Sequence, residues 1–459
     1  MNTSIFRLYA LFVVLFGVLV AFSSRWAVFG ATGLRENPKN SRVVIEEQRI
    51  KRGVIRAADN EVLAGSTPLS DKRFARRYPT GELFAQPVGF DSIRFGRAGL
   101  ELFYNDRLTG RKEELANIVD SLVERDQVGD DLQTTLVPKA QQLAYDELGD
   151  RKGAVVALRV KDGAVLVLAG NPSFNPNQPE ERSTFNLATQ GLFPPGSTFK
   201  TVTATAAIDS GDYQPDSRVS GKNGKVISGT PLNNFGQEDF GEITLTEALT
   251  NSVNTVWAEV GVKLGRETMQ EYMDRFGFGE KPPMDYPARQ MEISGPRRRG
   301  TVIPMSSSSV DVGRTAIGQA LLLVTPLQMA TVAQTIGNGG VRMEPRIVEK
   351  VIDPDGRTVD EPLPKRAERV MSAESAAKVG TMMKSVVREG SGTAAALEGV
   401  ELAGKTGTAE IDINRGINDL WFIGFTDEVA IAVIVDRQQG QGGTVAAPIA
   451  KRVLQALGQ

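Results

Sequence analysis

A serine followed three residues later by a lysine, Ser197-Thr198-Phe199-Lys200, is the part of this sequence best suited to covalent chemistry. Positions i and i+3 lie on one face of a helix, so the Lys200 amine can reach the Ser197 hydroxyl. An amine takes up a proton only when it is uncharged, and burial or a neighbouring cation disfavours the ammonium form. Pro194-Pro195-Gly196 marks the start of the helix, where free backbone N–H groups favour developing negative charge. Nucleophilic chemistry in this chain must use Ser or Thr with Lys, Asp, Glu or Tyr as the base, and Ser197 beside Lys200 is one such pair. The 459-residue chain has no histidine and no cysteine. That excludes Ser-His-Asp and Cys-His mechanisms, His-bound metals, disulfides and thiolate nucleophiles.

Two further segments carry compatible groups. Ser252-Val253-Asn254 falls at an expected break between helices over Leu245–Thr250 and Thr255–Leu264. In such a turn both side chains can face one cleft. The hydroxyl can relay a proton, and the amide can bond a substrate amide and the lysine. Lys405-Thr406-Gly407-Thr408 reads as strand. Gly407 leaves the strand edge open to another backbone, so a peptide can lie along it as an added strand. Lys405 with the Thr406 and Thr408 hydroxyls suits a carboxylate. Each tripeptide is weak alone. Ser173-Phe174-Asn175 and Ser375-Ala376-Ala377-Lys378 repeat two of the patterns, the first in a Pro/Asn-rich loop and the second on an expected surface helix. Both read as structural. Ser252 follows Ser197 by 55 residues, and Lys405 follows Ser252 by 153. The ordered set resembles the signature of penicillin-recognising serine enzymes.

These groups need a frame. Ala154–Val160 and Ala164–Ala169 are apolar runs joined by Lys161-Asp162-Gly163, a hairpin signal. Ser197–Ser210 reads as a helix, and residues 280–316 as a long irregular stretch. Val400–Ala409, Trp421–Phe425 and Val429–Val435 read as strands, with Thr426-Asp427-Glu428 as a tight connection. A last helix runs from Pro448 to Leu457. Strands at both ends of this segment and helices between them predict an α+β domain, an antiparallel sheet with helices packed on it.

Before Gly153 the texture differs. Ile5–Phe22 is almost continuously apolar, with Arg7 and Arg25 near its ends. It is long enough to span a bilayer, and no clear cleavage site follows, so it reads as an uncleaved signal anchor. From Arg35 to Arg77 eleven Lys/Arg face six Asp/Glu, a local net of +5. This suits a solvated stalk, or contact with anionic lipid or wall polymer. A helix is expected over Arg111–Arg125. Residues 43–145 suit a small pedestal rather than a second enzyme. The overall net charge of −2 gives no sign of nucleic-acid binding.

The chain resembles the class B penicillin-binding proteins, and its compact length most resembles their PbpA-type members. Beyond the three motifs, Arg52-Gly53-Val54-Ile55, Tyr78-Pro79, Val88-Gly89-Phe90 and Gly99-Leu100-Glu101 resemble the family's pedestal. Ile317-Gly318-Gln319, Thr325-Pro326-Leu327-Gln328 and Asn338-Gly339-Gly340 resemble its transpeptidase domain. Departures are small and lie away from the chemistry: Asp59-Asn60-Glu61 stands where an Asn-Gly turn is usual, and Gly337 precedes Asn338 where alanine is usual. The resemblance implies the penicillin-recognising serine transpeptidase fold, with an anchor over 1–25, a dimerisation-type pedestal over 26–145 and a transpeptidase domain over 146–459.

By the same resemblance Ser197 is the acylated nucleophile, Lys200 its base, and Ser252 and Asn254 line the cleft. Lys405, Thr406, Gly407 and Thr408 bind the substrate carboxylate and edge, and the N–H groups of Ser197 and Thr408 form the oxyanion hole. It implies a peptidoglycan D,D-transpeptidase acting on stem pentapeptides, acylated by β-lactams and using neither metal nor cofactor. Its catalytic domain is expected outside the cell membrane beside a multi-span glycan polymerase. A D,D-carboxypeptidase and a non-catalytic scaffold for that polymerase are the alternatives. A β-lactamase has no use for the pedestal and anchor, a bifunctional enzyme needs a larger N-terminal domain, and a sensor needs more membrane spans.

Overall fold

The computed structural model describes residues 2–25, 47–69, 72–110, 128–180 and 185–459. The helix expected over Arg111–Arg125, and much of the basic stretch after the anchor, lie outside the described residues. Helix α1 (Asn2–Arg25) carries the apolar run. Its segment Ile5–Arg25 has 21 residues, a mean hydropathy of 2.5 and no buried portion. At 1.5 Å per residue that covers about 30 Å, the thickness of a bilayer's hydrocarbon core.

The pedestal begins with β1 (Ile55–Arg56), β2 (Val62–Pro68), β3 (Phe74–Arg77) and β4 (Asp131–Thr134). β1 pairs antiparallel with β2 and parallel with β4. Beside the sheet lies a cluster of buried charges. Glu101, fully buried, accepts from Arg52 at 2.9 Å and Arg76 at 2.5 Å. Asp91 accepts from Arg97 at 2.7 Å, and Glu47 pairs with Arg97. Charges buried this deeply persist only because each is paired and hydrogen-bonded.

Helix α2 (Pro138–Leu148) follows and runs through position 145. The central sheet then begins with β5 (Gly153–Arg159) and β6 (Val165–Asn171). Helices α3 (Lys200–Asp209), α4 (Leu245–Thr250) and α5 (Asn254–Arg275) form most of the middle. α5 continues past Leu264, where the sequence suggested an end. Gly265 interrupts it with φ 82° and ψ 174°, and the helix resumes beyond. The stretch 280–316 is more ordered than expected. It holds a hairpin of β7 (Gly295–Arg298) and β8 (Thr301–Val302), and a short helix over Val312–Ala316. Arg299 and Gly300 both have positive φ, the two-residue turn that suits a hairpin. The Arg297-Arg298-Arg299 run is therefore a hairpin tip. Arg297 is engaged by Glu292 at 2.9 Å and Arg298 by Ser309 at 2.5 Å.

Helix α6 (Pro326–Gly337) leads to β9 (Val348–Ile352) and β10 (Thr358–Asp360). These two strands return to the pedestal. β9 pairs with β4, giving a six-stranded sheet of order β10-β9-β4-β1-β2-β3. Asp285 pins the junction by accepting from the N–H groups of Ile347 and Val348 at 2.7 and 2.8 Å and from the Tyr104 hydroxyl at 3.1 Å.

Helix α7 (Ala373–Glu389) precedes β11 (Ala403–Asp412), β12 (Ile417–Phe425) and β13 (Val429–Gln439), and α8 (Ala446–Ala456) closes the chain. The five-stranded sheet is antiparallel throughout, in the order β11-β12-β13-β5-β6. Side chains alternate across it. Val155, Ala157, Ile431 and Val433 meet α2 and α8, while Ala154, Val156, Ala430 and Ala432 join the larger core with the middle helices. Both faces are covered, which is why these strands read as unbroken apolar runs. All three C-terminal strands differ from the apolar runs that suggested them. The pairing is a backbone ladder, so polar residues such as Glu410, Asn418 and Gln438 join it at the exposed end.

Glu101→Gln keeps the shape of its side chain but leaves Arg52 and Arg76 short of a buried counter-charge. Asp91 and Glu47, 3.8 and 3.9 Å from Arg52, offset part of this. The expected loss of stability is about 3 kcal/mol, read as a lower urea midpoint of the detergent-solubilised protein.

Candidate active site

Ser197 stands on a single 3-10 turn, Gly196–Phe199, rather than in the first turn of an α-helix. With three residues per turn, positions i and i+3 are eclipsed, so Lys200 lies directly along the axis from Ser197. The turn is clamped by backbone. Gly196 has φ +52°, and a Cβ there would stand 3.2 Å from the Thr408 carbonyl carbon. A Cβ on Gly318 would stand 2.0 Å from the Gly196 oxygen. The Gly196 N–H donates to Gly318 at 2.9 Å, and Trp421 Nε1 to Pro194 O at 2.9 Å. Ser197 is thereby pressed against the Thr408 backbone, half-exposed, with its neighbours buried.

Behind it α3 is buried from Lys200 to Ile208, so it shows no amphipathic stripe. Its threonines are satisfied locally. Thr201 Oγ1 donates to Thr198 O at 2.8 Å, and Thr205 Oγ1 to Thr201 O at 2.9 Å. Lys200 itself is fully buried. Its Nζ meets Ser252 O at 2.7 Å, Ser252 Oγ at 3.2 Å and Asn254 Oδ1 at 2.7 Å. Ser197 Oγ is not among its partners in this resting arrangement.

Ser252 sits between α4 and α5 with φ +57°, in the left-handed region. Such a conformation costs on the order of 1–3 kcal/mol for a residue with a Cβ. The turn is held by Ser252 N–H to Leu249 O at 3.1 Å and Val253 N–H to Ala248 O at 2.9 Å. A capping box between Thr244 and Glu247 fixes the start of α4.

Lys405 enters from β11, also fully buried. Its Nζ donates to Ser252 Oγ at 2.9 Å and Thr406 O at 3.1 Å. With Lys200 neutral, its two N–H protons go to Ser252 O and Asn254 Oδ1, so the Ser252 hydroxyl donates to the Lys200 lone pair while accepting from Lys405. Among the described residues neither lysine has an ion pair. Two buried amines without a counter-ion cannot both stay charged. Burial, reinforced by Lys405, holds Lys200 well below the usual lysine range, and burial pushes Lys405 down to about 7.

The other expected residues are placed as follows. Thr406 Oγ1 lies 2.6 Å from Ser391 Oγ, and Thr408 Oγ1 accepts from Gly442 N at 3.1 Å. Gly407 lets Pro195 O approach, since a Cβ there would be 2.8 Å from it. Asn254 Nδ2 donates to Asn233 O at 3.2 Å, and buried Asn234 accepts from Thr255 N at 3.0 Å, tying this loop to the start of α5. The two stray matches are elsewhere in the hydrogen-bond network. Ser173 Oγ bonds Glu82 O at 2.8 Å, while Ser375 accompanies the Ser372 helix cap and Lys378 pairs with Glu374 at 2.8 Å. Sequence reasoning missed Ser391, Asn233, Asn234 and Gly442. A single Ser, Asn or Gly in a loop carries no local signal of its neighbours.

Comparisons with known proteins agree with this geometry. The profile of the penicillin binding protein transpeptidase domain matches residues 153–455, and that of the penicillin binding protein A dimerisation domain matches 52–132. The chain is similar to the peptidoglycan D,D-transpeptidase PbpA of Mycobacterium tuberculosis, 32% identical over 99% of each chain. It is equally similar to PbpA of Mycolicibacterium smegmatis, 32% identical over 99% of each. Among solved structures, the imipenem acyl-enzyme complex of penicillin-binding protein A from M. tuberculosis superposes with a TM-score of 0.80 at 30% identity, covering 90% of this chain and 100% of that one.

The lysine argument is checked directly by NMR of 13Cε-labelled lysine. Lys200 is expected to take up its proton only well below the usual lysine range. In Lys405→Gln the neighbouring cation is gone, so the Lys200 midpoint should move upward while burial still holds it low. A Lys200 midpoint near the free-lysine value of about 10.4 would contradict the argument.

Proposed function

The chain belongs to the penicillin-binding protein transpeptidases, of the PbpA type, and from that premise we propose that it is a peptidoglycan D,D-transpeptidase working through an acyl-enzyme on Ser197. The observation that carries this reading is the Ser252 hydroxyl held between two buried, counter-ion-free lysines beside the Ser197 turn.

The donor is a stem peptide ending in D-Ala-D-Ala, laid along the free edge of β11 as an added strand. Its terminal carboxylate meets Lys405, Thr406 and Thr408. Ser197 Oγ attacks the penultimate D-Ala carbonyl and gives its proton to neutral Lys200. The oxyanion is met by the N–H groups of Ser197 and Thr408, which the Gly196 contact holds together. The C–N bond then breaks, and the departing D-Ala amine takes a proton relayed through Ser252 from the lysines. An acceptor amine of a neighbouring stem attacks the ester, returns its proton by the same route and frees Ser197. Asn254 keeps one amide hydrogen for the substrate backbone while the other is held by Asn233 O. β-Lactams acylate Ser197 because they present a strained amide and a carboxylate to the same groups.

The proposal extends to the layout. Residues 1–25 anchor the chain in the membrane in a single pass. Residues 26–145 form the pedestal, completed by the returning strands β9 and β10, and 146–459 carry the chemistry outside the membrane. The partner in this reading is a multi-span glycan polymerase of the cell-wall machinery.

Intact mass after penicillin G, for wild type and Ser197→Ala, tests the reading. One stable adduct on wild type and none on the variant is expected, and purified lipid-linked donor should then yield cross-linked dimers. Release of D-Ala without dimers would make the protein a carboxypeptidase. No adduct with intact drug would leave a scaffold, and no adduct with consumed drug a β-lactamase.

A further inference from the structure

The turn between α7 and β11 contains Gly390-Ser391-Gly392 and joins the two walls of the cleft. On one side Ser391 N donates to Thr250 O at 3.5 Å, two residues before Ser252. On the other, Ser391 Oγ lies 2.6 Å from Thr406 Oγ1, next to Lys405. The turn is tightly seated. A Cβ on Gly390 would stand 2.5 Å from Thr250 O, and a Cβ on Gly443 would stand 2.3 Å from Ser391 O. Ser391 is exposed, while Thr406 beneath it is buried.

Either hydroxyl can donate in this contact, and the groups around it favour Ser391 as the donor. Two hydroxyls in one hydrogen bond use one proton and leave the other unspent. Thr408 Oγ1 accepts from Gly442 N, a bond that leaves its own proton unspent as well. Thr406 and Thr408 share one face of the strand, since positions i and i+2 do. The edge therefore offers two hydroxyl protons side by side, with the Lys405 amine on the Thr406 carbonyl. Donors gathered without a competing acceptor suit an anion.

We propose that Ser391 is a positioning residue for the terminal carboxylate of the donor peptide: it donates to Thr406 Oγ1 and so turns the Thr406 proton toward the carboxylate. This rests on the transpeptidase reading and adds to it a residue outside the three motifs. Ser391 acts through Thr406 and only on ligands that carry the carboxylate.

The test compares acylation rates of the full-length protein by penicillin G and by its methyl ester, which keeps the strained amide but lacks the anion. Ser391→Ala is expected to slow the free acid about tenfold, the upper end for one lost neutral hydrogen bond, and to change the ester by less than about twofold. Ser391→Thr, which retains a hydroxyl, should keep the acid-to-ester ratio within about threefold of wild type. In a Thr406→Val background Ser391→Ala should have no further effect, because the residue through which it acts is gone. Equal slowing of acid and ester, slowing of neither, or full additivity with Thr406→Val would overturn the role of Ser391 alone. A wild type acylated by neither compound would overturn the transpeptidase reading, and this proposal with it.

Discussion

Two lysine amines, buried without a counter-ion among the described residues and bound to one serine oxygen, set the terms for the rest of the structure. Each would be a stable cation in water, and the two cannot both be so where they stand. The fold must therefore hold Lys200 and Lys405 in place against the cost of removing them from solvent. It does so with stiff elements: α3 is buried along its length, and β11 is paired with β12 over ten residues. Between them Ser252 accepts a strained backbone so that its oxygen faces both amines. The strain sits at the point of use, and the capped helix α4 and the long helix α5 hold it there.

A second constraint is close backbone contact. The Ser197 turn lies close on Thr408, where a Cβ at Gly196 would stand 3.2 Å from the backbone, and Gly318 presses on it from the other side. Three distant stretches of chain meet there without side chains between them. Such contacts fix N–H groups to within fractions of an ångström, which hydrogen-bonded side chains on loops do less well. The pedestal adds a separate layer. Its sheet takes two strands from after the middle helices, so the chain ties its two parts together by pairing rather than by a linker.

Much of this was legible in the sequence, for reasons that can be named. Ser197 and Lys200, Ser252 and Asn254, and Lys405 to Thr408 each lie within four residues of one another, so their mutual placement follows from local geometry. The strands over 153–171 and 417–435 were visible because both sheet faces are covered. Other features were hidden. The 3-10 turn at Ser197 has the composition of an α-helix start. The hairpin at Arg297 is polar and short, so it reads as loop. Nothing in Val348–Ile352 signals that it joins the pedestal sheet beside β4, because pairing partners are chosen across more than two hundred residues. Ser391 was missed because a lone serine in a turn carries no local signal of its neighbours.

The sequence by itself bounded the kind of chemistry available, since a chain without histidine or cysteine leaves a Ser or Thr nucleophile with Lys, Asp, Glu or Tyr as its base, and it determined the order in which the motifs arrive. It also determined the membrane-length helix and the alternation of strands and helices. The tertiary structure decided what those groups are. Whether an amine is a base or a cation depends on what surrounds it, and the surroundings of Lys200 come from positions 252, 254 and 405. Whether a threonine proton is free depends on which neighbour holds its oxygen, and those neighbours, Ser391 and Gly442, come from other turns. Residue type and spacing are local properties, while protonation and hydrogen-bond direction belong to the packed interior.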